Sequence, residues 1–333
     1  MALEFHWTLP TEGDLQGRDP GDPTARPGHW VTVARAAERA GFHALMVPSG
    51  RHRPDAWLVA ARLARETRRL KFLVAFRPGF VLPAAAAQAA ASLQQLTGQR
   101  LLVGVLAGGD IAEHRAHGDL IPHDDRFARA AEFLSVVRQV WRGRPGGIGL
   151  RHEGVHYRLQ NGGLVRPLRQ PPPVHVGGPS PAAERVAAEH ADVYTLWADS
   201  PDRFAGRVRR VQALAAGRGR TLRFACRVHV VARDTEAAAW AAVEHHVGGP
   251  VRDRPADGIW TGYGAWRTPG TPRAGTALVG SLRQVAAQLA EFHRLGADSL
   301  VLSGDRGLEE ACRIGEEVLP LVKVRVPAAE EAL

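Results

Sequence analysis

The chain has 333 residues, a formal charge of +9 and two cysteines, and 45% of its residues are hydrophobic. That length can bury a large core in one or two domains. The charge does not read as a nucleic-acid surface: Lys71 and Lys323 are the only lysines, and the arginines are scattered beside Asp and Glu, with no basic block interleaved with aromatics. Abundant arginine and alanine fit a biased base composition in the encoding genome. Cys226 and Cys312 stand far apart and outside any CxxC pattern, which points to a reduced, cytoplasmic protein. No basic-then-apolar signal segment opens the chain, and no apolar run is long enough for a membrane span.

Taken in order, Leu3 to Leu9 reads as a strand and Thr11 to His29 as a Gly/Pro/Asp-rich loop. Trp30 to Ala40 is helical, with Gly41 where a helix end favours a left-handed residue. The alternation continues through a strand at His43–Pro48, a helix at Asp55–Thr67, a strand at Leu70–Phe76 and a helix at Pro83–Leu96. A strand at Leu101–Leu106, a Gly-rich loop and a helix at Arg126–Trp141 follow. Gly143 to Pro167 breaks the rhythm with short alternating segments that suggest a hairpin. Strands then fall at Pro173–Val176, Val193–Leu196, Leu222–Asp234 and Ser299–Leu302, with helices between them. Gly248 to Gly280 is a long Gly/Pro-rich excursion, and a last helix runs from Leu308 to Leu321.

Eight strand-like runs alternating with helices predict a parallel sheet with helical crossovers. The absence of an obvious linker favours a single (β/α)₈ TIM barrel over residues 1–333, with insertions at about 107–125, 143–167 and 248–280. No GxGxxG follows the first strand, which argues against a dinucleotide-binding sheet. In a barrel of this kind the active site sits at the C-terminal ends of the strands.

The most informative strand is Leu222 to Asp234. Side chains alternate faces, so Ala225, Arg227, His229 and Val231 share one face and Phe224, Cys226, Val228 and Val230 the other. An arginine and a histidine inside a strand that looks buried need partners. Two readings stand: an edge strand with a wet face, or a pocket that holds an anion.

Two motifs need weighing. His152-Glu153-Gly154-Val155-His156 matches the zinc-protease pattern HExxH, whose chemistry needs both histidines on one helix face. Its glycines place it in a hairpin, so no metal is expected. Gly177-Gly178-Pro179-Ser180 joins a strand to a helix start. Bare N–H groups there suit a phosphate, and the alternative is an ordinary Ser N-cap.

Several stretches together resemble the bacterial luciferase-like flavin monooxygenases, most closely the alkanesulfonate monooxygenases. They are Leu9-Pro10-Thr11 with Gly13-Asp14, Gly50-Arg51 with Asp55 to Ala60, Leu70 to Ala75 with Arg77-Pro78, Arg227 to Val230, Gly275 to Gly280, and Leu302-Ser303-Gly304 with Leu308-Glu309-Glu310. The resemblance implies a barrel that binds FMN, delivered reduced by a separate NAD(P)H:FMN reductase. It also implies use of O₂ to cleave the C–S bond of a small anionic sulfonate, giving aldehyde and sulfite, in a dimer or tetramer. It places Arg227, His229, Trp197 and the mobile-loop Arg267 in the catalytic set. Gly177, Gly178, Ser180, Ala107, Phe127 and Trp197 fall on cofactor-binding positions. Arg53 and Asp305 fall where the family carries a Cys and a Tyr that face the substrate. Phe127 replaces a Tyr beside the flavin phosphate, Gly104 replaces an Asn, and the segment from His246 to Trp260 is short. Arg53 and Asp305 are read either as substrate-selecting groups at the pocket mouth or as rim residues, solvated or paired across the barrel. The functional alternatives are a related flavin enzyme acting on a secondary metabolite and a non-catalytic flavin-binding partner protein.

Overall fold

Short β-branched and leucine-rich strands, each followed by an amphipathic helix, close into a cylinder. The computed structural model describes residues 2–13, 21–109, 111–143, 149–261, 263 and 275–326. The barrel strands are β1 (Glu4–Thr8), β2 (Ala44–Val47), β3 (Lys71–Phe76) and β4 (Leu101–Val105), then, after a hairpin of β5 (Leu150–Glu153) and β6 (Arg158–Gly162), β7 (Val174–Gly177), β8 (Val193–Trp197), β9 (Arg223–Arg233) and, last in the chain, β12 (Ser299–Ser303). Neighbours pair in parallel in the order β1-β2-β3-β4-β7-β8-β9-β12, and β12 pairs with β1 to close the ring. The expected (β/α)₈ barrel is therefore present.

The helices pack outside, and their ends follow local chemistry. The helix α1 (Pro27–Arg39) is followed by Ala40 and then Gly41 at φ +84°. The helix α2 (Ala56–Ala64) is capped by Asp55, which accepts from the N–H groups of Trp57 and Leu58. The helix α3 (Pro83–Thr97) ends on the left-handed Gly98. A short helix, α4 (Ile111–Ala116), lies in the segment expected to be only a loop, and α5 (His123–Arg142) follows it. Next come α6 (Pro181–His190), α7 (Pro201–Ala216) and α8 (Glu236–Val247). The last expected helix is not continuous: a π-helical turn at Ile314–Val318 separates Gly307–Arg313 from Leu319–Arg325. Pro320 supplies a reason. A proline ring collides with the carbonyl four residues before it, and widening the turn relieves the clash.

The main core lies between barrel and helices. Trp7, Phe72, Phe76, Val103, Tyr194, Cys226 and Leu302 point outward into it. The barrel interior is narrower and holds small clusters: Ala44, Leu73 and Leu102, then Val193, Ala225 and Val301, with Met46 against both. Below them, at the N-terminal mouth, the interior turns polar. His6 stacks on His43 at 5.8 Å and meets His175 at 6.2 Å, with Glu4 3.6 Å from His6 and from His43 and 3.8 Å from Arg223.

One expectation needs correcting. The 248–280 stretch is not simply an excursion. It contains β10 (Ile259–Trp260) and β11 (Ala277–Ser281), and β11 pairs in parallel with the second half of β9. β9 is long enough to serve the barrel with residues 223–229 and a side sheet with 229–233. That side sheet carries its own core of Val231, Trp240, Val243, Tyr263, Ala277 and Val279. The glycines on either side of this short apolar run masked its strand character.

Candidate active site

The register of β9 decides the site. Ala225 lies inside the barrel with Val193 and Val301, while Phe224, Cys226, Val228 and Val230 belong to the outer core. Arg227 and His229 therefore share the inward face, as alternation requires. The wet-edge reading fails: β9 has neighbours on both sides, and His229 is 2% exposed.

His229 sits in a tight polar cluster. Its Nε2 is 2.9 Å from the Tyr263 hydroxyl and 3.0 Å from Asp305 Oδ1, and the Tyr263 hydroxyl donates to the same Oδ1 at 2.8 Å. The two rings stack with centroids 4.5 Å apart. On the other side of the ring, Nδ1 is 3.1 Å from Ser303 Oγ at the end of β12. His246 on α8 approaches Asp305 at 3.4 Å. Burial alone would raise the Asp305 pKa; the charge and hydrogen bond of His229, the charge of His246 and the Tyr263 hydroxyl outweigh it and hold the carboxyl well below the usual range. The anion nearest His229 thus belongs to the protein itself.

The loop that carries Asp305 is held by close packing. Trp7 Nε1 donates to the Gly307 carbonyl at 3.2 Å. A Cβ at Gly304 would come within 2.6 Å of Glu310, and one at Gly307 within 2.2 Å of Pro10, so glycine is needed at both places. The Arg227 guanidinium sits over Trp197, with Cζ 4.3 Å from the ring centroid. This cation–π contact holds the guanidinium near the C-terminal end of β8. Gly104, on the inward face of β4, keeps the floor open beside Ala75.

A second group of residues meets at the ends of β4 and β7. Phe127, near the start of α5, is buried between two glycines: a Cβ on Gly108 or Gly178 would lie 3.5 or 3.6 Å from its ring tip. Ala107 is buried directly before Gly108. Gly178 has φ +139°, and a Cβ there would reach 2.9 Å from that of Ala183. Its carbonyl accepts from the Tyr194 hydroxyl, and burial pushes that phenol up. Ser180 caps α6 by accepting from Ala183 N–H at 3.2 Å, so the ordinary-cap reading of its hydroxyl is correct in this structure. Beside Phe127, Arg126 is 3% exposed and its Nε has no hydrogen-bond partner. A strand end lined by Gly108 and Gly178 suits an anionic group such as an FMN phosphate, and Arg126 on the neighbouring helix adds a buried guanidinium whose Nε is unpartnered. The residues present fit that cofactor.

Arg53 and Asp305 find separate partners. Arg53 Nη2 pairs with Glu12 at 2.5 Å and Nη1 reaches Thr11 at 3.4 Å, while Asp305 joins the His229 cluster. Asp305 is therefore not a solvated rim residue. Arg267 lies outside the described residues. The HExxH segment is a hairpin, with His152 held 3.0 Å from Glu132 and the N–H groups of His156 and Tyr157 donating to the same carboxylate. No group of three or more His, Cys, Asp or Glu suited to a metal occurs among the described residues. Sequence reading missed Tyr263, His246 and Arg126. Tyr263 lies between two glycines in a stretch read as loop; Trp260, three residues before it, hinted at local packing. Arg126 carried a usable signal, its place on the same helical face as Ala130, Phe133 and Val137.

A sequence profile for the luciferase-like monooxygenases matches residues 3–299. The chain belongs to that family. As a luciferase-like monooxygenase it shares its fold with several solved enzymes. A riboflavin lyase solved with modified FMN and riboflavin superposes with a TM-score of 0.82 at 18% identity, covering 99% of this chain and 93% of its own. The EDTA monooxygenase of Chelativorans sp. BNC1 gives 0.81 at 19%, covering 98% and 94%. The oxygenating component of 3,6-diketocamphane monooxygenase from Pseudomonas putida, in complex with FMN, gives 0.72 at 19%, covering 96% and 99%. At such identities the likeness concerns the fold alone. No helix among the described residues is long and apolar enough to cross a membrane.

Proposed function

We propose that this protein is the oxygenase of a two-component system, taking reduced FMN from a separate NAD(P)H:FMN reductase and using O₂ to oxidise a small organic substrate. The observation that carries the reading is the meeting of Gly178, Phe127 and Gly108 at the ends of β4 and β7, with Arg227 over Trp197, and His229, on the adjoining strands β8 and β9. FMN held there would supply the oxygen chemistry. Gly177 and Gly178 let the backbone approach its phosphate, and Arg126 balances the phosphate charge. Trp197 offers a flat apolar surface beside the ring system. Arg227 provides a fixed fork of donors toward a polar substrate group, and Arg267 is proposed to close over the site and exclude water.

An alkanesulfonate, cleaved to aldehyde and sulfite, is the first substrate class to test. A different oxidation is the second reading, and a specific feature favours it. Asp305 lies 3.0 Å from His229 and Glu12 lies 2.5 Å from Arg53, so two of the basic groups that would welcome a sulfonate already have carboxylate partners. Anaerobic titration tests the flavin reading: reduced FMN should bind more tightly than oxidised FMN, and equal or absent binding would sink it. Admitting oxygen with a panel of sulfonates and assaying sulfite then separates the two substrate readings.

A further inference from the structure

We propose that Asp305, His229 and Ser303 form a proton relay whose outlet is the Ser303 hydroxyl, with Asp305 as the residue that fixes the His229 tautomer and Tyr263 holding the Asp305 carboxylate in place. Hydrogen-bond supply decides which ring nitrogen carries the proton. The Tyr263 hydroxyl has one proton and donates it to Asp305 Oδ1 at 2.8 Å. Nε2 of His229 faces that same Oδ1 at 3.0 Å and the Tyr263 oxygen at 2.9 Å. A bare Nε2 would set its lone pair against a carboxylate oxygen, so Nε2 carries the proton and shares it between both oxygens. The exchangeable position of the ring is then Nδ1, which faces Ser303 Oγ at 3.1 Å.

The proton balance is simple. A substrate X–H group at Ser303 passes its proton to Oγ while the serine proton moves to Nδ1. The imidazole becomes imidazolium, and Asp305 stays ionised and stabilises the new charge. Release of that proton to solvent resets the relay. The substrate class implied is one that must lose a proton at a hydroxyl, an amine or an acidic carbon.

The site is built to hold this arrangement. His229 and Tyr263 are 2% and 3% exposed, and Tyr263 is anchored in the side-sheet core against Trp260 at 5.6 Å. Ser303 is on the inward face of β12, two residues from Val301 inside the barrel. Among the described residues, the charged and titratable groups that face the relay include Arg227 on β9 itself, His246 from α8, Tyr263 from the segment between β10 and β11, and Asp305 after β12. Glu310, paired with Arg233 at 2.7 Å, feels the charge of Asp305.

The tautomer can be read without flavin or turnover, by ¹⁵N NMR of the histidine rings, with His229→Gln identifying the resonances. Wild type should show Nε2–H when neutral; an Nδ1–H ring would overturn the proposal. Asp305→Asn should lower the proton affinity of His229 by about tenfold to a thousandfold, the usual effect of removing an opposite charge at this range. An unchanged affinity would also overturn it. Should that variant not fold, Asp305→Glu and Tyr263→Phe take its place: the first should keep the affinity within about tenfold and the second should keep the tautomer. A flipped tautomer in either would count against the proposal. In turnover, which rests on the oxygenase reading above, Ser303→Ala should cut kcat about 100-fold with KM and FMN affinity retained, the size expected for a positioned acid–base group. Wild-type kcat in Ser303→Ala removes the outlet. Failure of wild type to bind reduced FMN would refute the oxygenase reading while leaving the NMR result standing.

Discussion

Arg227, His229 and Cys226 are near neighbours in sequence, yet the barrel gives them opposite environments. Arg227 stacks on Trp197 and His229 enters the polar cluster, while Cys226 is fully buried in the outer core, where burial pushes its thiol pKa up and keeps it unreactive. Arg227→Ala and His229→Gln should each lower substrate oxidation by about 100-fold. Cys226→Ala should leave it within a few-fold and cost only the stability of a small cavity. Steady-state kinetics on the three variants checks this, and damage confined to Cys226→Ala would mean that the strand register is displaced by one.

Elements carry the next level of control. The turn from β7 into α6 works because Gly178 adopts φ +139° and leaves no Cβ to strike Ala183. An alanine there faces both a disfavoured backbone region and a contact of 2.9 Å, a strain of about 1–3 kcal/mol. The turn would shift away from Phe127 and Gly108. Gly178→Ala should therefore weaken FMN affinity at least about tenfold while far-UV circular dichroism stays native, since the rest of the barrel does not depend on this turn. Unchanged affinity would remove Gly178 from the cofactor site. The side sheet of β9, β10 and β11 is the other decisive element, because it alone brings Tyr263 to His229. A strand that serves two sheets ties that segment to the most buried part of the barrel.

At the scale of the whole molecule, the polar N-terminal mouth sets the acid limit. Burial holds the pKa of His175 down at about 3, helped by the charges of His6 and Arg223, and burial likewise holds His43 at about 4. For Glu4 burial would raise the pKa, but His6, His43 and Arg223 outweigh it and leave it at about 2. Each of these groups binds its proton more readily when unfolded, from the ordinary values of 6.5 for histidine and 4.5 for glutamate. Their contribution is complete above about pH 6.5. It is lost as pH falls, first through the histidines down to about 4 and 3, then through Glu4 from 4.5 toward 2. Thermal midpoints should fall steadily between pH 6.5 and 4. His175→Asn should flatten the dependence of unfolding free energy on pH in that window by up to one proton; an identical slope would show that His175 titrates freely in the fold.

The strand and helix alternation was written in local patterning, because apolar runs of four to six residues and 3.6-residue periodicity need no tertiary information. Strand alternation alone set Arg227 and His229 apart from Cys226, and Gly154 with the glycines just before His152 argued against a zinc helix. The ends of the chain's elements were also legible where a single residue dictates them, as at Gly41, Ser180 and Asp55. Three features were not. Ala277–Ser281 reads as loop because its glycine surroundings hide a strand that forms only by pairing with the far half of β9. The break at Ile314–Val318 depends on how Pro320 meets its own helix. The partnership of His229, Tyr263, Ser303 and Asp305 joins residues up to 76 positions apart, brought together by barrel closure and the side sheet. Local sequence determined which face each side chain would take, and tertiary packing decided which side chains would meet, since contacts of long sequence separation leave no local periodicity to read.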